Sequence, residues 1–436
     1  MLTAEAVPSP LLPSPPFPIL QAMAKSARNS PLRLAWRRFR KNIPALFGLG
    51  WIVLCALVAV FAYLLMPDNT TNANFQIVEL PKQPPGTEAH LLLQPNQSDA
   101  PQPGALAAAF TGRPDRFTPI PLASAEAVRI QNDSLFWTGL RGAPEARSLV
   151  EFLLPMDKFH PQSVAWREAG GHPYQLAPDQ SIVYMDLAGE RQTASLPELQ
   201  EQLRETHLES RTFRMGTDSF GRDVFSRLIL GTRVSLSVGL MAVLVSLLLG
   251  VTLGAVAGFF RGWVDQVIMW IVSVVWSIPT LLLAISISFV LGEGFWQLFL
   301  AIGVSMWVEV ARIVRGQIFS IREMQYIEAT RSLGFLSPRV IFRHILPNIL
   351  SPLIIVAAAN FASAILIEAG LSFLGVGVQA PTPSWGSMIK EGYQQVMFES
   401  GSWLAIFPGA AIILVVISLN LVGFGLRDAF DPKYDH

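Results

Sequence analysis

One cysteine, Cys55, occurs in 436 residues, so neither an intrachain disulfide framework nor a cysteine zinc knuckle can form. The six histidines (His90, His160, His172, His207, His344, His436) have no ligand-like spacing, which argues against a metal centre. Charge is scarce: 15% of the residues are charged against 51% hydrophobic, and 32 Lys and Arg balance 32 Asp and Glu. That balance excludes a basic nucleic-acid binder. Acids are nearly missing from the start of the chain, where Glu5 is the only one before Asp68, whereas seven cations occur there: Lys25, Arg28, Arg33, Arg37, Arg38, Arg40 and Lys41. Residues 67–233 hold 35 of the 64 charges, 15 basic and 20 acidic, which leaves the rest of the chain apolar over long stretches. The protein is a hybrid of membrane and soluble material.

Residues 1–30 are rich in Pro, Ser and Ala without a periodicity that could bury a face, and are expected to be disordered. With the cations that follow, residues 1–43 are expected to form a disordered, basic cytoplasmic segment. Pro44–Met66 then runs 23 residues without a charge; as a helix it would cover about 34 Å against a hydrocarbon core of about 30 Å. The cations before it place its start in the cytoplasm, and the run is too long for a signal peptide. The same criterion gives five further spans: Val234–Phe260, Gln266–Gly292, Phe295–Ala311, Asn348–Leu374 and Ser402–Leu426. Six crossings put both termini on the cytoplasmic side. The loop Arg312–Arg343 carries six Arg against Glu323 and Glu328, and its charge places it in the cytoplasm too.

Between the first two spans lie residues 67–213, an insert that reads as soluble. Its stretch Pro81–Pro121, rich in Pro and small residues, predicts an extended linker. Ser181–Leu187 predicts a strand. Ser195–Glu209 predicts an amphipathic helix, with Ser195 and Glu198 at capping-box spacing and Leu196, Leu199 and Leu203 on one face. A small mixed α/β unit outside the membrane follows, either a dedicated site or a loosely ordered insertion.

Tyr326–Pro347 carries the densest local signal. Apolar residues at helical spacing (Ile318, Ile321, Ile327, Leu333) lead to Gly334, which suits the left-handed residue that ends a helix; Phe335 can cap it, and Ser337-Pro338 suits a new start. The product is a helix–Gly–helix elbow: a device for pressing into a cleft of a cytosolic partner, or an ordinary connection at the membrane surface.

Glu328-Ala329-Thr330, with Gly334 and then Ile345-Leu346-Pro347, resembles the EAA loop of permease subunits of bacterial ATP-binding-cassette importers. Thr330 stands for the usual second Ala, and His344 for the Ile of many members. His344–Asn348 is similar to the peptide/nickel branch, and Gly216–Leu236 resembles the opening of the transport core in its C-type subunit. Glu368–Gly375 and Pro383-Ser384-Trp385-Gly386 also match that branch. The likeness covers residues 33–66 and 214–431, with the core at 214–431 and its coupling loop at 312–347. It implies an all-α polytopic fold of type I importers with six transmembrane helices, interrupted here by the mixed α/β insert. It also implies a bacterial inner-membrane location, a second homologous permease subunit, two cytosolic ATP-binding subunits and an extracytoplasmic substrate-binding protein. Tyr326, Glu328, Ala329, Thr330, Gly334 and Pro347 become the coupling residues, with Glu328 reaching a cation of the ATPase and Gly334 making the bend. Di- or oligopeptides are the implied substrates, nickel the next possibility. The insert inherits no role, being short in most relatives.

Gly216–Gly221 has the glycine spacing of a phosphate loop, but Arg222-Asp223 follows in place of Lys-Ser/Thr, so a nucleoside triphosphate has no cradle. ATP is then hydrolysed on another chain and no cofactor is required. Asp218, Gly221, Arg222 and Asp223, with Arg227, mark the outer entrance of the second span, as paired charges holding it or as part of a substrate vestibule. An ion-coupled transporter is the rival, but such proteins carry ionisable groups near the bilayer midplane. Here Glu309 and Glu368 sit toward span ends, and Glu309 has Arg312 three residues on as a local partner.

Overall fold

The computed structural model describes residues 31–96, 103–396 and 401–430. The expected disordered tail, 1–30, lies outside the described residues. Structure begins earlier than the composition predicts: Pro31–Phe39 is helix α1. Its Ala35 and Phe39, one turn apart, are buried against the last helix of the chain; tertiary packing of this kind stabilises a helix too short to persist alone. Helix α2, Ile43–Val60, is the first span, and Asn42 caps it by accepting from the Ala45 N–H at 3.1 Å.

The insert is more ordered than expected, because the predicted linker contains a strand. Its elements run β1 (Thr87–Pro95), α3 (Ala105–Thr111), β2 (Phe117–Leu122), β3 (Val128–Gln131), β4 (Ser134–Thr138), β5 (Pro144–Ser148), α4 (Leu149–Leu153), α5 (Pro161–Gly170), β6 (Gln175–Leu176), β7 (Ser181–Met185), β8 (Arg191–Ser195), α6 (Leu196–Gln202) and β9 (Leu208–Phe213). They form three antiparallel three-stranded sheets, ordered β2-β1-β9, β3-β4-β5 and β6-β7-β8. Side chains alternate across a strand: Leu91 and Leu93 of β1 face a core of Phe75, Ile77, Leu80 and Phe213, while Leu92 faces Leu135, Trp137, Leu149 and Leu203. A strand buried on both faces needs consecutive apolar residues, and the Leu91-Leu92-Leu93 run among prolines supplies them. At α6 the leucine stripe is buried as the spacing predicts. The capping box is absent: Ser195 makes no side-chain cap bond, and the helix passes into one π turn, Leu203–His207, before β9.

The membrane part follows as α7 (Val224–Phe260), α8 (Gly262–Trp276), α9 (Thr280–Leu291), α10 (Phe295–Arg322), α11 (Gln325–Ser332), α12 (Ser337–Val340), α13 (Leu350–Leu374), α14 (Trp385–Val396) and α15 (Trp403–Phe430). Five helical stretches among the described residues are long and apolar enough to cross a membrane, and α8 with α9 makes a sixth crossing if that pair, bent by 94°, counts as one. The expected straight span 266–292 is therefore broken. Pro279 lacks the N–H that a continuous helix requires and its ring opposes the preceding turn. Helix α10 continues eleven residues past the expected end at Ala311. Arginine is a good helix former, Arg315 pairs with Asp265 of α8 through two contacts of 2.5 and 2.6 Å, and Val314, Ile318 and Ile321 prolong the buried stripe. The positive charges of 312–322 therefore do not end the helix.

Helices α7 and α10 lie backbone to backbone. A Cβ on Gly250, Gly254 or Gly258 would meet α10 at 2.4, 2.5 and 3.0 Å, so three glycines at four-residue spacing set this distance, as small residues do where helices pack in lipid.

Candidate functional site

At one end of the core the elbow takes the predicted form. Gly334 closes α11 with φ +75°, and the Phe335 N–H reaches back to the Thr330 carbonyl at 3.1 Å, the long-range bond of a glycine-terminated helix. A Cβ on Gly334 would meet nothing within 4 Å, so the glycine is required by its backbone angle and not by space. Phe335 stacks on His344 with ring centroids 6.0 Å apart, beneath the Arg339 guanidinium. The Tyr326 hydroxyl accepts from Asn348 Nδ2 at 3.2 Å and ties the two arms together. The inner face, Ile327, Val340, Ile341, Ile345 and Ile349, packs on the ends of α7 and α10. The buried Thr330 hydroxyl donates to the Ile327 carbonyl at 2.7 Å. Glu328, Ala329 and Pro347 are exposed, and Leu333 and Leu336 flank Gly334 at 73% and 77% exposure.

At the other end the charged block is closed. Asp218, Arg222 and Arg227 are 4%, 3% and 2% exposed. Arg222 Nε contacts Asp218 Oδ2 at 2.6 Å, Arg227 Nε lies 3.4 Å from the same oxygen, and Glu391 of α14 takes Arg222 Nη2 at 3.0 Å and Arg227 Nη2 at 3.5 Å. Two acids and two cations thus neutralise one another, as buried charges require. Asp223 caps α7 by accepting from the Ser226 N–H at 2.9 Å and from its hydroxyl. The block also grips the insert: Thr217 Oγ1 donates to the Leu80 carbonyl at 2.6 Å and accepts from the Gln83 N–H at 2.8 Å. Gly221, at φ +73°, lies so close to Ile77 that a Cβ would fall 1.8 Å from its carbonyl oxygen. Glu391 was invisible in sequence, being 164 residues beyond Arg227; its exposed neighbour Tyr393 and the amphipathic spacing of α14 gave no hint of a partner.

The other two blocks join here. Glu368 of α13 is fully buried and accepts from Ser235 at 3.0 Å and Ser372 at 2.8 Å. Ser235 in turn accepts from the Trp385 N–H at 3.2 Å, and the Trp385 indole donates to the Leu228 carbonyl at 3.2 Å. Gly216–Leu236, Glu368–Gly375 and Pro383–Gly386 therefore form one packed unit.

Residues 250–436 match the family described as binding-protein-dependent transport system inner membrane component, and residues 30–85 match the N-terminal transmembrane domain of oligopeptide transport permease C. A dipeptide transport system permease of Alkalihalophilus pseudofirmus is 44% identical over 218 residues, 50% of this chain and 71% of the relative. The chain belongs to this permease family. A glutathione transport system permease of Pectobacterium atrosepticum shares 42% over 219 residues (50% of this chain, 72% of the relative), and an oligopeptide transport system permease of Bacillus subtilis 38% over 218 residues (50% and 71%). Residues 86–249, between the two matched stretches, contain all three sheets of the insert.

The permease has a third feature of note, a cavity of about 700 Å³ beside the α8–α9 break, walled by Trp276, Thr280, Met306, Glu309, Arg312 and Ile367 among others. The expected Glu309–Arg312 pair is not formed. Arg312 instead lies over the Trp276 ring, 3.9 Å from its centroid, because the break at Pro279 brings that indole against α10.

Proposed function

We propose that this multi-pass permease forms half of the translocation pathway of an importer for di- or oligopeptides, with a second homologous permease completing it. Two cytosolic ATPase subunits would power it, and an extracytoplasmic binding protein would deliver substrate. The observation that carries the coupling reading is the elbow: apolar side chains exposed around a backbone fixed by Gly334, on a base packed against the ends of α7 and α10. Movement of a docked ATPase would tilt those helices, and a switch of this kind needs an element with different contacts in two states. Glu328 then supplies a charge-assisted contact, Ala329 the close approach, Tyr326 and Thr330 the internal bracing, and Pro347 a fixed exit into α13. The Arg-rich end is cytoplasmic, with both termini there and the insert outside. Asp218, Gly221, Arg222 and Asp223 hold the outer entrance of the core. The peptide substrate rests on what the relatives are named for.

The test is ATP-driven uptake of a dipeptide by the complete complex in proteoliposomes. Uptake is expected with both ATPases present and absent without them, and the purified permease alone should bind no ATP. ATP binding by the isolated chain, or uptake that survives removal of the ATPases, would refute the division of labour.

A further inference from the structure

We infer that Glu309 and Arg312 line the pathway as a separated charge pair that receives the two ends of a zwitterionic substrate, its ammonium at Glu309 and its carboxylate at Arg312. The inference rests on the peptide reading above and names the groups that would enforce it.

Both residues open into the 700 Å³ cavity, and both are exposed. They lie one turn apart on α10, the spacing at which opposite charges ordinarily meet, yet Arg312 is drawn to the Trp276 face at 3.9 Å. Stacking uses the flat face of a guanidinium and leaves its N–H edge directed outward, in the fork geometry that suits a carboxylate. Among the described residues no salt bridge joins Glu309 to a cation, and Arg315, further along the same helix, is taken by Asp265; Asp218 and Glu391, in contrast, are tightly paired. The rest of the wall is apolar or hydroxylic, with Thr280 and Met306 beside the charges. One acid and one base held apart in such a wall favour a dipolar guest: a simple cation is repelled by Arg312, a simple anion by Glu309, and an uncharged solute uses neither. The position fits as well, since helices interrupted in mid-span mark the substrate sites of many transporters. Exposed single contacts also suit transit, where binding must be favourable enough to admit and weak enough to release.

The experiment uses the complete transporter in proteoliposomes and three probes, alanylalanine, its N-acetylated form and its C-terminal amide, at concentrations below saturation. The binding protein contributes the same selectivity to every variant, so changes in the ratios report the permease. Glu309→Gln is expected to reduce alanylalanine uptake about tenfold, the size of one charge-assisted contact, while its uptake of the N-acetylated form is unchanged; discrimination against the amide persists. Arg312→Gln should give the mirror image, and Arg312→Lys, which keeps the charge but not the fork, should restore it in part. An equal fall for all three peptides in both glutamine variants would mean that the residues pair with the second permease or brace the fold, and would overturn the inference. So would unchanged uptake. Uptake of alanylalanine by the unaltered transporter tests the peptide reading separately: if it moves none of the probes while hydrolysing ATP, that reading fails first.

Discussion

The two ends of the core treat their functional residues in opposite ways. At the clasp of Asp218, Arg222, Arg227 and Glu391 every charged side chain is paired within the chain and nearly all are buried, and the backbone of Gly221 is locked against Ile77. At the elbow the base is packed, but Glu328, Leu333 and Leu336 stand in the open, and among the described residues a Cβ on Gly334 would meet nothing within 4 Å. The first arrangement is complete in itself. The second leaves apolar side chains open, which is the surface the proposed ATPase contact would use. Stability is therefore expected to concentrate at the clasp and, on the proposed coupling, dependence on a partner at the elbow.

The comparison breaks most severely at Asp218. Replacing it with Ala leaves Arg222 and Arg227 to share Glu391, and an uncompensated buried charge costs about 3–5 kcal/mol; the purified protein should melt well below the unaltered one, with loss of uptake in step. Gly221→Ala comes next, at about 3 kcal/mol, from overpacking against the Ile77 carbonyl together with the left-handed backbone. Thermal unfolding checks both, and an unchanged melting temperature in either would remove the clasp as a source of stability. Gly334→Val should do the reverse. Its backbone penalty is about 1–2 kcal/mol, confined to the elbow, so melting should move little while ATP-driven uptake is abolished; normal uptake would dispose of the elbow as the coupling element. The smallest effect lies in the insert. Asp186 accepts from the Glu190 and Ala188 N–H groups and from Gln192 at 2.8–3.0 Å, led by the Glu190 N–H, and these bonds hold its carboxyl below the ordinary Asp range. A carboxyl lowered on folding adds stability above its unfolded pKa and loses it as pH falls through the folded value. Protection of the β7–β8 hairpin against hydrogen exchange should thus decline on acidification below the ordinary Asp range, and Asp186→Asn should flatten that decline.

What could be read in the sequence divides along physical lines. Apolar runs announce crossings because a bilayer imposes a length, and Gly334 announces its turn because few residues accept that backbone. Pro279 lay in plain view inside an uncharged run, but charge counting is blind to a proline, so the break and the cavity beside it went unread. Arg312 and Arg315 ended the fourth span on paper, whereas α10 runs on to Arg322 since its apolar stripe does. The β1 strand was masked by flanking prolines, and only the Leu91–Leu93 run betrayed it. The clasp was half legible: Asp218 and Arg222 are four residues apart, but Glu391 belongs to a distant helix, and no local spacing could supply it. The Arg312–Trp276 stack replaced the expected Glu309 pair for the same reason.

The strands of the insert begin and end side by side, although the insert also touches the core elsewhere, as where the Phe110 carbonyl accepts from Arg233. Thr87 lies opposite Phe213 across the β1–β9 pair, and the Gly86 N–H donates to the Phe213 carbonyl at 2.8 Å. Between Thr87 and Phe213 the chain thus closes through a narrow two-stranded stem, and the entropy of closing the connection there is set by that stem and not by the length of chain beyond it. A unit joined in this way can be lengthened, trimmed or exchanged for another with neighbouring ends while the separation of the crossings beneath stays as it was.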